Sequence, residues 1–211
     1  MTLRAIALNC SLKSGKGAEA SSTDRMTGLI ADALTQKGVA FAGTIRIADH
    51  DIKPGVTSDE GKGDAWPALR ERILAADILI FGTPVWLGQM SSLAKRVCER
   101  MDAFLSETDD QGRGPAYGKV ALFAIVGNED GAHSITAQLG QALIDVGWTL
   151  PPFPGCYWVG EAMGEVDFKD LPKVPEKVDE TVRMAASNAA HLAGLLKERP
   201  YPGIGGIGKD Q

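Results

Sequence analysis

"DILIFGTPVWLGQMSSLAKRV", residues 77–97, is the stretch whose reading decides the fold. Ile78 to Phe81 form an unbroken apolar run of the kind that sheets bury on both faces. Gly82-Thr83-Pro84 interrupts the run, and Val85, Trp86 and Leu87 then stand on the segment leading to a helix that Ser91 or Ser92 caps. Connections normally run through water, so large apolar side chains here either fold down onto the core or form a wall for something flat and apolar.

Working outward, further buried-strand runs occur at Leu3–Asn9, Phe41–Ala48 and Lys119–Val126, with a weaker one at Phe153–Val159; the opening stretch supplies Asp77–Thr83. Helical stripes fill the gaps. Met26, Leu29, Ile30, Ala33 and Leu34 form one, with Ser22 or Thr23 as cap and Gly38 past its end. Others run from Trp66 to Leu74, from Leu93 to Leu105, from Ile135 to Val146, and from about Glu176 to Lys197 after Pro175. Strands and helices alternating at these lengths predict an α/β fold, a parallel sheet with helices on both faces. Ligands of such sheets sit beyond the carboxyl ends of the strands, where the strand order reverses.

The 211 residues fit a single domain over residues 1–198 and a Gly-rich flexible tail over 199–211. Residues 49–64 and 106–118 read as mobile surface loops. With 44% apolar and 23% charged residues the composition is that of an ordinary globular chain, and no apolar run reaches bilayer-spanning length. The run Leu3–Leu8 is too short for a secretion signal and reads as a strand. Cys10, Cys98 and Cys156 are odd in number and far apart, which fits neither disulfide nor zinc spacing, so we expect no metal and a reducing cytoplasm. A net charge of −5 without a dense Lys/Arg cluster argues against nucleic acid as a partner.

Three segments at strand ends carry the chemistry. After the first strand, Ser11 and the run Ser21-Ser22-Thr23 place hydroxyls and free amides at a helix start, a phosphate site that does not depend on Lys. A Walker loop is excluded, because Gly15-Lys16 is followed by Gly17 and Cys10 holds the first Gly position. The literal G-x-G-x-x-G at Gly203, Gly205 and Gly208 follows a helix at the chain's end and carries no dinucleotide meaning. The second segment is the apolar connection itself. The third, "VGNEDGAHS" at 126–134, leads into another helix. A phosphate cradle beside two loops that flank a flat apolar slot matches FMN. Pro84, Val85, Trp86, Leu87 and Gly88 would cover the ring. Amides of residues 86–89 and of the Gly127-Asn128-Glu129-Asp130-Gly131 loop would bond its polar edge.

These motifs resemble the flavodoxin-like NAD(P)H-dependent FMN reductase superfamily: residues 10–26 its phosphate loop, 82–101 its ring loop and following helix, and 126–133 its second ring loop. The first loop is longer and has Asn9-Cys10-Ser11 in place of the usual G-S-x-R opening. The resemblance implies a flavodoxin-like three-layer sandwich, five parallel strands in order 2-1-3-4-5, bound FMN, and a homodimer or homotetramer. It implies phosphate ligands at Ser11, Ser21, Ser22 and Thr23, and hydride passing from NAD(P)H through the flavin to a small-molecule electron acceptor such as a quinone or a flavin. No side chain is required as acid or base; Glu129 and His133, beside the ring loop, are the two to test. His191 reads as structural and His50 as a turn residue. The alternative is a flavodoxin-type electron carrier without pyridine-nucleotide turnover. A receiver-type switch lacks its acidic residues after strands one and three, and a serine hydrolase lacks G-x-S-x-G.

Overall fold

The structure, a computed structural model, describes residues 2–14 and 20–204. Six strands form in chain order: β1 (Arg4–Asn9), β2 (Ala40–Arg46), β3 (Ile78–Trp86), β4 (Gln89–Met90), β5 (Val120–Gly127) and β6 (Gly155–Val159). Five of them are parallel in the order β2-β1-β3-β5-β6, while β4 is a short antiparallel rung on the end of β3. With that rung set apart, this is the expected 2-1-3-4-5 sheet.

Helices α1 (Ser22–Thr35) and α5 (Glu176–Glu198) cover one face of the sheet. Their Met26, Ile30, Leu34, Ala185 and Ala189 bury Ala7, Ile80 and Leu122. Helices α2 (Trp66–Leu74), α3 (Ser92–Met101) and α4 (Ala132–Asp145) cover the other, packing Ile73, Val97 and Leu139 on Leu8, Phe81 and Phe123. Neighbours along β3 thus serve opposite layers, which is why the run Ile78–Phe81 shows no polar alternation. The order reverses between β1 and β3, so a crevice opens where their carboxyl ends part.

The boundaries of β3, β2 and α1 differ from the sequence reading. β3 does not stop at Thr83: Thr83 and Pro84 pair with Ile125 and Val126, and Val85 and Trp86 pair with β4. Pro84 is tolerated because β1 ends opposite Gly82, so no neighbour on that side asks for its missing N–H. Leu87 (φ 53) and Gly88 (φ 71) make the turn, both in the left-handed region that two-residue hairpins use. The expected apolar loop is therefore a β-hairpin. β2 ends at Arg46, and Ile47–Asp49 forms a 3-10 turn. The cap of α1 is Ser21 rather than Ser22 or Thr23, because Asp24 completes a reciprocal capping box with it.

The loop after β2 is held from beneath. Arg100 is fully buried against Asp64 at 2.8 Å and donates to the carbonyls of Thr57 (3.1 Å) and Lys53 (2.9 Å). Part of the expected tail is also packed: the Tyr201 ring meets Tyr117 edge-on at 6.2 Å, and the Ile204 amide donates to Gln111. Residues 205–211, including Gly205 and Gly208, and residues 15–19 of the first loop lie outside the described residues.

Candidate FMN site

A cleft of about 470 Å³ lies over the carboxyl ends of β1, β3 and β5, a size within the range of small-molecule sites. One end of it is polar and the other apolar. The polar end is lined by Ser11, Lys13, Ser21, Ser22 and Thr23. Gly82 lets the start of α1 come this close, since a Cβ there would lie 2.8 Å from both the Leu8 carbonyl and Thr23 Cγ2.

The hydroxyls at this end are not equivalent. Ser21 Oγ donates to Asp24 (3.0 Å) while accepting from Asn9 Nδ2 and from the Asp24 amide, both at 3.1 Å, so its proton is committed within the protein. Ser11 Oγ accepts the Lys13 amide (3.2 Å) and Ser22 Oγ the Lys169 amide (3.2 Å), which leaves both hydroxyl protons to donate elsewhere. The first-turn amides of Ser22 and Thr23 have no intrahelical acceptor. Ser21 thus lines the cleft with its hydroxyl proton already given to Asp24.

Beneath the cradle, Asn9 and Arg46 both bond Asp24. Burial pushes the Asp24 carboxyl up, but bonds from Arg46, the Ser21 amide and Asn9 outweigh it and hold the pKa below the ordinary carboxylate value. Arg46 offsets the charge this leaves beside the polar end of the cleft.

The apolar end is bounded by Pro84, Val85, Trp86 and Leu87 from the hairpin, by Val126, Gly127, Asn128 and Glu129 from β5 and its loop, and by Trp158 from β6. The three greasy residues divide. Val85 is buried under Gly127, whose Cβ would lie 2.7 Å from Val85 Cβ, whereas Trp86 and Leu87 stay 53% and 91% exposed. Gly88, Asp130 and Gly131 do not line the cleft. Gly131 (φ 142) sits so close to Gly88 that a Cβ would come within 2.8 Å of its backbone, and Asp130 accepts the Gly131 amide at 2.7 Å. They brace the wall from behind.

Of the two candidate side chains, Glu129 lines the cleft but spends its carboxylate on the amides of Leu87 (2.9 Å) and Gly88 (3.1 Å). His133 points away, its Nε2 3.1 Å from the Tyr157 hydroxyl and its ring edge-on to that tyrosine. Cys10 is fully buried, and its thiol is pushed well up by burial and by nearby Cys98.

Leu12, Lys13 and Val126, from the expected phosphate and ring loops, also line the cleft, as do Trp158, Met163 and Asp167, which none of the three expected site segments contains. Trp158 was within reach, since the strand-end rule applies to β6 as it does to β1, β3 and β5. Met163 and Asp167 carry no local signal; the tertiary path of residues 160–171 brings them in. A larger depression of about 960 Å³ lies around Tyr117, Lys119 and Tyr201 at the opposite end of β5, away from the converging strand ends.

The donor set fits a flavin mononucleotide. Amides, hydroxyls and Lys13 suit a phosphate, and two tryptophans with Pro84 and Val85 suit a flat apolar ring.

Comparison with known proteins agrees. A family model described as NADPH-dependent FMN reductase matches residues 3–163. The chain is 31% identical to the 8-demethyl-8-aminoriboflavin-5'-phosphate synthase of Streptomyces davaonensis, over 95% of this chain and 81% of that protein. It is 35% identical to the divalent metal cation transporter MntH of Mycobacterium bovis over 92% of this chain, yet spans only 29% of that protein's length. No helix among the described residues is long and apolar enough to cross a membrane. Among solved structures, RosB with bound 8-demethyl-8-formylriboflavin-5'-phosphate superposes with a TM-score of 0.85, at 28% identity over 96% of this chain and 83% of that one. The apo form of the NADH:FMN oxidoreductase EMOB shares the fold, with a TM-score of 0.65 at 18% identity over 98% and 97% of the two chains.

Proposed function

Since the chain belongs to the NADPH-dependent FMN reductase family, we propose that it binds FMN in the cleft over β1, β3 and β5, accepts hydride from NAD(P)H and passes electrons to a small acceptor such as a quinone or a free flavin. The observation that carries this reading is the two-ended cleft, with phosphate donors at the start of α1 and tryptophans at the far end. Bound FMN would supply the hydride and electron chemistry.

The protein's part is to hold and orient. The amides of Ser22 and Thr23, the hydroxyls of Ser11 and Ser22 and the Lys13 ammonium take the phosphate. Asn9, Asp24 and Arg46 keep Ser21, and with it the first turn of α1, in place. Val85, Trp86 and Trp158 exclude water from the apolar end. Glu129 fixes the hairpin tip, so no acid or base role is assigned to it. A homodimer or homotetramer, proposed from the family, would cover the exposed Trp86 and Leu87.

A second reading comes from the synthase and RosB, to which this chain is similar along nearly all its length: the flavin phosphate is itself the substrate and leaves chemically altered. Purification with an absorption spectrum, then NADPH under air with and without a quinone, tests both. NADPH oxidation with flavin of unchanged mass supports the reductase. Bound FMN without NADPH oxidation points to a flavodoxin-type carrier, and flavin of altered mass to the second reading. Colourless protein that takes up no added FMN removes all three.

A further inference from the structure

We infer that residues 160–171 form a strap along the cleft, and that Arg25, which holds the strap without lining the cleft, is a positioning residue for the ligand; the role in binding rests on the FMN site proposed above. The two ends of the strap are fastened to the two ends of the site. At the apolar end, the Gly160 amide donates to Gly127 (2.9 Å), the Met163 amide to the Asn128 carbonyl (2.9 Å), and Asn128 Nδ2 to the Gly164 carbonyl (2.9 Å). At the phosphate end, Arg25 Nη1 donates to the carbonyls of Phe168 (2.6 Å), Lys169 (3.1 Å) and Leu171 (2.8 Å), and the Lys169 amide donates to Ser22 Oγ.

Between these anchors the strap lies outside the core, held in its middle by a long bond from Asn128 Nδ2 to the Asp167 carboxylate (3.4 Å). Glu161, Glu165 and Val166 are exposed, and Met163 is 93% exposed with its backbone in the left-handed region (φ 63). Met163 and Asp167 nevertheless line the cleft. A side-chain relay leads there too: the Arg25 guanidinium lies 5.2 Å from the Phe168 ring centroid, and the Phe168 ring packs, tilted by 41°, against Trp158 with centroids 5.5 Å apart, Trp158 lining the apolar end. Arg25 stands on α1, one turn into the helix whose first amides face the phosphate. One guanidinium therefore joins the helix that anchors the phosphate to the strap and the tryptophan that bound the ring. Loss of that guanidinium frees the strap and lets ligand escape while every phosphate donor stays in place.

The test compares wild type with Arg25→Met and Arg25→Lys. A Glu-specific protease cuts the unliganded strap after Glu161 and Glu165, with sites mapped by mass spectrometry. Arg25→Met is expected to be cut about tenfold faster at those two bonds, and to release FMN about tenfold faster, read as the return of flavin fluorescence on dilution. Arg25→Lys should recover part of both, and FMN should protect the strap in wild type much more than in Arg25→Met. Equal cutting of the unliganded proteins overturns the strap, and equal FMN release overturns the positioning role. Should wild type take up no FMN, the proposed function fails, and the unliganded cutting rates still decide the strap. Should Arg25→Met not fold, by circular dichroism, Phe168→Leu replaces it: FMN release faster than wild type sustains the relay, and unchanged release overturns it.

Discussion

The Glu129 carboxylate clamps the turn at Leu87, one oxygen 2.9 Å from the Leu87 amide and the other 3.1 Å from the amide of Gly88. A hairpin turn with two positive-φ residues leaves these amides outside the β ladder, and an ionised acceptor bridging both is stronger than a neutral one. Glu129→Ala should therefore speed hydrogen exchange at Leu87 and Gly88 about tenfold, at a stability cost of about 1 kcal/mol. Unchanged exchange at both amides would show that the clamp does not persist in solution.

Gly131 permits the approach that makes this clamp reachable. In Gly131→Ala the new Cβ meets Gly88 backbone at 2.8 Å, at a φ of 142 that L side chains rarely adopt. We expect a loss of about 2–3 kcal/mol in chemical denaturation. Gly38→Ala is the control, since a Cβ there meets nothing within 4 Å although its φ is also positive; it should cost about 1 kcal/mol.

Trp86 lines the cleft and is half exposed, so it is available to a ring rather than spent on the core. Trp86→Ala should weaken FMN binding about tenfold, as titrated by flavin fluorescence, with little change in unfolding midpoint. His191 is exposed on α5 and does not line the cleft, contrary to its expected structural role, and His191→Ala should leave both quantities as they are.

Acid should cost stability through Asp64. Burial pushes its carboxyl up, but amides of Glu60, Trp66 and Lys53 and the Arg100 guanidinium bring the pKa down to about 2. A depressed folded-state pKa gives stability that is complete above the unfolded value near 4 and is lost as pH falls toward 2. The loss over that window is about 2 kcal/mol, measurable by urea unfolding at stepped pH. Asp64→Asn should be less stable by about 3 kcal/mol at neutral pH, because Arg100 is left buried and unpaired, and should show a flatter acid limb.

The thiols should be quiet in the native state. Burial raises Cys98 and Cys156 to about 12 and Cys10 well above its ordinary value. At pH 8 only about one thiol in ten thousand at Cys98 or Cys156 is ionised, so a disulfide reagent should react slowly with folded protein and rapidly with three equivalents in denaturant. Fast native labelling at Cys10, the thiol beside the cleft, would contradict its burial.

The sequence by itself determined the sheet and the address of the site. Ile78–Phe81 and its counterparts are apolar on every residue because both sheet faces are covered, and that pattern, alternating with helical stripes, leaves few other folds. That Ser22, Thr23, Trp86 and Asn128 would meet at one cleft was legible for a related reason: strand ends and helix starts are local features, and a parallel sheet sends them all to one edge. Tertiary structure decided which of these residues are free to act. Ser21 gives its proton to Asp24, Glu129 is held by the hairpin amides and His133 by Tyr157, and each of these outcomes depends on a partner that chain neighbours do not reveal. Arg25, Met163 and Asp167 were illegible because Arg25 meets the strap across more than a hundred residues of chain, and only the folded path puts that strap beside the cleft.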